Sequence, residues 1–200
     1  MASNEVRTVT WLSSDWNGQE TCTLSQRSDG WQLAGRATGD AEGQPVTVDY
    51  AISTDQAWRT RRVSVSMSTE HLQSHQLCVI ERDNQGHWTA QGEDCPPLDS
   101  IQGLHDIDIQ ITPASNSLPI NRLNLAIGEG SDVTAAWVRI PEFVLEPLRQ
   151  RYTRIADRTY AYASNDGDFT ATLEVDDLGL VTTYDPGWTR LNMDASNGTS

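Results

Sequence analysis

The sequence predicts a mainly β domain with a single helix. Apolar residues alternate with period two along most of the chain, turn-forming triplets separate these runs, and one stretch alone steps by three and four. The alternating runs begin with Trp31 and Leu33, then Val46, Val48, Tyr50 and Ile52, then Val63, Val65 and Met67. They continue with Ile107, Ile109 and Ile111, then Leu123, Leu125 and Ile127, then Val133, Ala135 and Trp137, and end with Phe169, Ala171, Leu173 and Val175. Each reads as a strand with one buried face. Ser28-Asp29-Gly30, Asn84-Gln85-Gly86, Asn165-Asp166-Gly167 and Asp177-Leu178-Gly179 supply the turns. Roughly a dozen strands imply an antiparallel sheet that curls or closes upon itself.

The helix is expected between Ile140 and Ile155, where Ile140, Phe143, Val144, Leu148, Tyr152 and Ile155 recur at intervals of three and four. Pro141 suits its first turn, and Pro147 inside it removes a hydrogen bond, so the helix kinks or restarts there. Its apolar side packs into the concave face of the sheet. Gln91 to Gln102 has no period and reads as a long loop. Two hundred residues with 37% hydrophobic content suffice for one core, so residues 1–191 form one domain and residues 192–200 a small, polar, flexible tail.

The formal charge is −14, and all fourteen basic residues are Arg. Such a field repels phosphate backbones and anionic lipid surfaces, so neither nucleic acid nor stable membrane association is expected. No run of about 18 apolar residues is present, and Met1 to Thr10 lack a basic start and an apolar stretch, which places the chain in the cytoplasm. Cys22, Cys78 and Cys95 form no CxxC pair and read as reduced thiols. Symmetric pairing about Asn84-Gln85-Gly86 sets Cys78 opposite a residue near Gln91, so a bridge to Cys95 needs an irregular loop.

Strand parity supplies the leading site candidates. Without a bulge between Trp58 and Met67, Arg59 and Arg61 share a face with Val63, Val65 and Met67 and point inward. Buried guanidinium groups need an anion, either an internal carboxylate or the phosphate or carboxylate of a ligand, whereas a bulge exposes them. Asp106 and Asp108 alternate with isoleucines and lie on one side of a strand about 7 Å apart, a separation that paired glycosidase carboxylates share with any acidic solvent-facing strand. His105 points to the opposite face from Asp106, and no metal site is expected there. His71, His75 and His87 are scattered, and no nucleophile, phosphate-loop or cofactor motif occurs, so no cofactor is expected. Seven Trp and five Tyr offer broad apolar faces with polar tips, suited to sugar or lipid sites as well as to the core.

Several ordered segments resemble the putative glycolipid-binding family, a set of bacterial proteins of uncharacterised function. They are Gly30-Trp31-Gln32-Leu33-Ala34-Gly35, Trp58-Arg59-Thr60-Arg61, Asp106-Ile107-Asp108 with Thr112-Pro113, and Asn116-Ser117-Leu118-Pro119-Ile120-Asn121-Arg122-Leu123. Ala135-Ala136-Trp137-Val138, Leu148 to Arg154, and Gly179-Leu180-Val181 before Tyr184 complete the match, which spans roughly Trp11 to Arg190. The resemblance implies a spiral β-roll, a many-stranded sheet wrapped around one helix, that pairs as a homodimer and binds a glycolipid or another amphipathic small molecule. It supplies no catalytic residue. The ligand-binding candidates are Trp58, Arg59 and Arg61, with Tyr152 lining the wall and Arg122 and Arg154 added from the matching segments. The alternatives are a hydrolase using Asp106 and Asp108, and a structural or regulatory homodimer whose core is filled.

Overall fold

The computed structural model describes residues 4–69, 76–92 and 95–191, and the expected tail, His71 and His75 lie outside them. One sheet carries fourteen strands among these residues. They are β1 (Asn4–Ser13), β2 (Gly18–Arg27), β3 (Gly30–Ala41), β4 (Gln44–Thr54), β5 (Thr60–Thr69), β6 (Gln76–Arg82) and β7 (Trp88–Gln91). Then follow β8 (Asp106–Ile109), the helix α1 (Ser117–Leu123), β9 (Gly130–Arg139), β10 (Val144–Ala156), β11 (Thr159–Ser164), β12 (Phe169–Val175), β13 (Val181–Asp185) and β14 (Trp188–Arg190). The order across the sheet runs β7 to β1 and then β14 to β8, with neighbours antiparallel except β8 and β9. The two end strands, β7 and β8, are not bonded to each other, so the sheet is not closed.

Cross-strand register carries one apolar face through the first half of the sheet, since opposed residues share a side. Val9, Cys22, Gly35, Tyr50, Val65 and Cys78 form one such row, and Trp11, Glu20, Ala37, Val48 and Met67 the next. The far end of the sheet curls back over this face. Val138, Phe143 and Leu145 meet Val63, Val65, Cys78 and Ile80 around a small cavity, so β9 is buried on both sides. Ala135 and Ala136, adjacent and therefore pointing opposite ways, are both buried. Small side chains let two layers approach that strand at once.

This overlap explains why the expected helix between Ile140 and Ile155 is instead a turn followed by β10. Phe143 and Leu145 pack outward against β5 and β6, whereas Leu148, Gln150 and Tyr152 are buried on the opposite side. Changing the buried side in mid-strand inserts a step of three into an alternating pattern, which imitates helical spacing. Val144 and Ile155, counted in that helical stripe, are exposed. The helix among the described residues is α1, where Leu123, Leu125 and Ile127 suggested a strand. Asn124 ends it in the left-handed conformation (φ 44°), donating its N–H to the Ile120 carbonyl, and Leu125 and Ile127 follow in a loop.

Cys78 and Cys95 form a disulfide with Cα atoms 4.6 Å apart, correcting the reading of three reduced thiols, while Cys22 is free and buried. Register sets Val79 opposite Gln91, and Gly92 has φ 110°, so regular pairing ends before Cys95.

Glu20 lies inside the curled sheet and is 0% exposed. Tyr50 donates its hydroxyl to Glu20 Oε1, and Thr112 Oγ1 donates to the same oxygen at 2.6 Å. Gly35 makes room for this arrangement, because a Cβ there would lie 2.6 Å from the Tyr50 hydroxyl. Burial raises the Glu20 pKa to about 8, so the side chain is largely protonated at neutral pH. The folded pKa exceeds the unfolded one, so this stabilisation is fully present below about pH 4.5 and is lost as pH rises through about 8. Urea denaturation across that range is expected to show stability falling by up to about 4–5 kcal/mol from this group. Glu20→Gln, which keeps the accepting oxygen, is expected to flatten the slope, and an unchanged slope would contradict the assignment.

Candidate functional site

The open end of the curled sheet holds a cleft of about 290 Å³. Its walls carry Trp16 from the β1–β2 turn, Trp137 from β9, Tyr162 from β11, Phe169 from β12, Tyr184 from β13 and Trp188 from β14. Tyr162, Phe169 and Tyr184 form a tilted trio with ring centroids 6.0 to 6.3 Å apart. Tyr162 in turn meets Tyr152 edge to face at 5.1 Å. Phe169 is 37% exposed and leaves apolar surface at the wall.

Polar groups reach the cleft from the segment after β8. Gln110, Thr112 and Asn116, held by the short turns between β8 and α1, line it together with Asp108 of β8 itself. Asp108 lies opposite Trp137 in the parallel pair of β8 and β9, which puts carboxylate and indole on one side. Ser115 donates to Asp108 Oδ1 at 2.8 Å and Gln150 to Oδ2 at 2.6 Å. Burial raises the Asp108 pKa, opposed by these two hydrogen bonds. Asp15 is the other carboxylate in the cleft, and no Arg is among its lining residues. A second space of about 350 Å³ shares Asp15, Trp16 and Gln110 and adds Asp40, Glu42, Glu142 and Arg139. The surroundings are therefore acidic, and they suit neutral hydroxyl-bearing groups better than anions.

The residues singled out from the sequence fall elsewhere. Asp106 and Asp108 do share one side of β8, with Ile107 and Ile109 buried on the other, but Asp106 takes a two-point bond from Arg122 (3.0 and 2.5 Å) and does not line the cleft. Neither acid sits on a solvent-facing strand, and Asp106 is only 1% exposed. Tyr152 is buried and donates its hydroxyl to Asn116 Oδ1 at 2.9 Å, standing behind the cleft wall. Arg154 donates to the Leu125 carbonyl at 2.8 Å and to the Asp157 carbonyl, fastening two loops.

Arg59 and Arg61 do not point inward. The register of β4 and β5 shifts between Ser53 and Thr54, opposite Arg61, so the bulge condition is the one realised. Arg59 is exposed, and Arg61 bonds Asp55 at 2.8 Å and Asn84 at 2.7 Å. Trp58, with φ 62°, stacks on Trp31 at 5.1 Å, away from the cleft. The number of aromatic residues was the signal for such a wall. Which of them converge depends on the curl of the sheet.

Fold and cleft together define a single-sheet β protein with an aromatic-walled cavity that carries a few convergent polar groups. The chain belongs to the family described as "Putative glycolipid-binding", whose model matches residues 8–190. Among solved structures it is similar to the crystal structure of a DUF1089 family protein from Pseudomonas aeruginosa, at 31% identity and a TM-score of 0.75, covering 86% of this chain and 92% of that one. No curated protein matches the chain. Among the described residues no helix is long and apolar enough to cross a membrane.

The Asp108 environment is directly measurable. Carboxyl-carbon NMR across a pH titration is expected to give Asp108 a midpoint above the ordinary Asp value of about 3.9, rising no further in Gln150→Leu than loss of one hydrogen bond allows. A midpoint at or below the ordinary value would contradict burial as the larger influence on Asp108.

Proposed function

We propose that the chain binds a neutral, sugar-bearing amphipathic molecule in this cleft, and does so without chemistry. The supporting observation is the coincidence, within about 290 Å³, of six aromatic side chains with Asp108, Gln110, Thr112 and Asn116. Indole and phenol rings offer flat apolar faces to the C–H surface of a sugar ring, and the four polar groups fix its hydroxyls. Phe169, exposed beside them, offers apolar surface to an alkyl portion. The family description favours the same ligand class. In this reading the curled sheet is a spiral β-roll around α1, and the protein pairs as the homodimer that the resemblance implies. The Cys78–Cys95 bridge favours an oxidising compartment over the cytoplasm expected from the sequence, because reducing cytosol opens such bonds.

Asp108 favours one second reading, general-acid hydrolysis of a glycoside, since a carboxyl with a raised pKa in a cleft can hold a proton for transfer. The pairing expected with Asp106 does not support it, because Arg122 occupies that carboxylate. Asp15 is the acid available across the cleft.

Octyl glucoside below its micelle threshold serves as a probe. Titration followed by tryptophan fluorescence is expected to saturate in the wild type, and Trp137→Ala is expected to weaken binding by roughly tenfold, the equivalent of about 1.4 kcal/mol. Equal affinity in the two proteins would remove the cleft from the proposal. Release of free sugar during the titration, abolished in Asp108→Asn, would replace binding with hydrolysis.

A further inference from the structure

At about 290 Å³ the aromatic cleft is small for a ligand with both a sugar and an alkyl part, since small-molecule sites measure about 300–1,000 Å³. The adjoining space of about 350 Å³ more than doubles it. The two meet at Asp15, Trp16 and Gln110, which line both. Phe169 lines the first alone, whereas Asp40, Glu42, Arg139 and Glu142 line the second alone. The lining thus changes from aromatic in the first space to polar and acidic in the second.

The junction is fixed by the backbone around it. The Trp16 N–H donates to Ser13 Oγ at 3.0 Å, and the Trp16 carbonyl accepts from the Asp40 N–H at 2.6 Å, which ties the residue to both β1 and β3. Gly39 permits this approach, because a Cβ there would lie 2.8 Å from the Trp16 carbonyl oxygen and 2.9 Å from the Trp16 Cβ. Gln110 Oε1 accepts from the Ile140 N–H at 2.9 Å. A backbone N–H can only donate, so the other arm of this amide is its NH2, which has no hydrogen-bond partner among the described residues. Arg139 is engaged already, paired with Glu142 at 2.9 Å and Glu146 at 3.6 Å. Asp15, Asp40 and Glu42 have no ion pair among the described residues, and their carboxylates are available as acceptors. These acids do not gather as a metal ion requires, since no group of three metal-ligating side chains comes together among the described residues.

We propose that the two spaces form one site for a ligand with two linked sugar rings, and that Asp40 and Glu42 recognise the outer ring, a proposal that rests on the cleft being a sugar site. The ring nearer the alkyl portion lies among the aromatic residues of the first space, the linkage passes Trp16 and Gln110, and the outer ring's hydroxyls donate to the two carboxylates. Hydrogen bonds to an ionised acceptor are about twice as strong as neutral ones, so the outer ring adds affinity in a space that has little apolar surface to offer. The Gln110 NH2 supplies the donor that a linkage or hydroxyl oxygen at the junction needs.

Octyl glucoside and octyl maltoside share one alkyl chain and differ by one glucose ring, so together they distinguish the second space from the cleft itself. Both are titrated below their micelle thresholds into the full chain and followed by tryptophan fluorescence. Octyl maltoside is expected to bind roughly tenfold tighter than octyl glucoside. Asp40→Asn combined with Glu42→Asn is expected to bring octyl maltoside to within about twofold of octyl glucoside, which does not reach these positions and binds as before. Asn suits both: it can keep the bond that Asp40 Oδ1 accepts from the Gly43 N–H, and it tolerates the left-handed conformation of Glu42 (φ 56°). Octyl maltoside binding no tighter than octyl glucoside, or an advantage that survives in the variant, would overturn the second-ring site and leave the cleft reading intact. Absence of binding by either detergent would overturn both.

Discussion

The structure depends on one constraint: a single open sheet must bury one apolar face, and it does so by overlapping its own ends. The β8–β10 end lies against the inner face of β5 and β6, so β9 is covered on both sides. A strand in that position needs small residues where both layers press on it, and Ala135 with Ala136 meets the need. Beside it, β8 is divided between two environments. Ile107 and Ile109 enter the core, while Asp106 and Asp108 face the other way and are satisfied by Arg122, Ser115 and Gln150. Breaking one of these bonds leaves a carboxylate short of partners in a low-dielectric place, which is costly.

The cleft follows from the same overlap. Trp137 comes just after the doubly covered alanines and shares a side with Asp108. The segment after β8 is fastened to the outer wall through Thr112 and the protonated Glu20, and so presents Gln110, Thr112 and Asn116 to the rings from β11 to β14. A buried neutral acid with two donors therefore positions part of the cleft from behind. The acidic lining of the cleft disfavours anionic ligands there, as electrostatic complementarity sets selectivity more than raw affinity.

Much of the sheet was legible in the sequence. Period two found β3, β4, β5, β9 and β12, the turn triplets fell where hairpins close, and the ordered segments pointed to the family. The misreadings share a cause. Alternation reports which side of a strand is buried only while that side stays the same, and in β10 it changes after Leu145. The inward arginines failed on a one-residue bulge at Arg61, and the disulfide on a turn at Gly92, both of which alter direction without changing composition. Asp108 was visible as a candidate from alternation alone. Its separation from Asp106 was not, because that depends on Arg122 arriving from a helix placed elsewhere by the sequence pattern.

The central claim is that the aromatic cleft receives the sugar end of an amphipathic ligand. A crystal structure of the protein grown with octyl glucoside tests it most directly. The account predicts a glucose ring stacked on Trp137 or Tyr184, with hydroxyls bonded to Asp108 and Asn116. A detergent molecule ordered only outside these residues, with the cleft closed to it, would contradict the account.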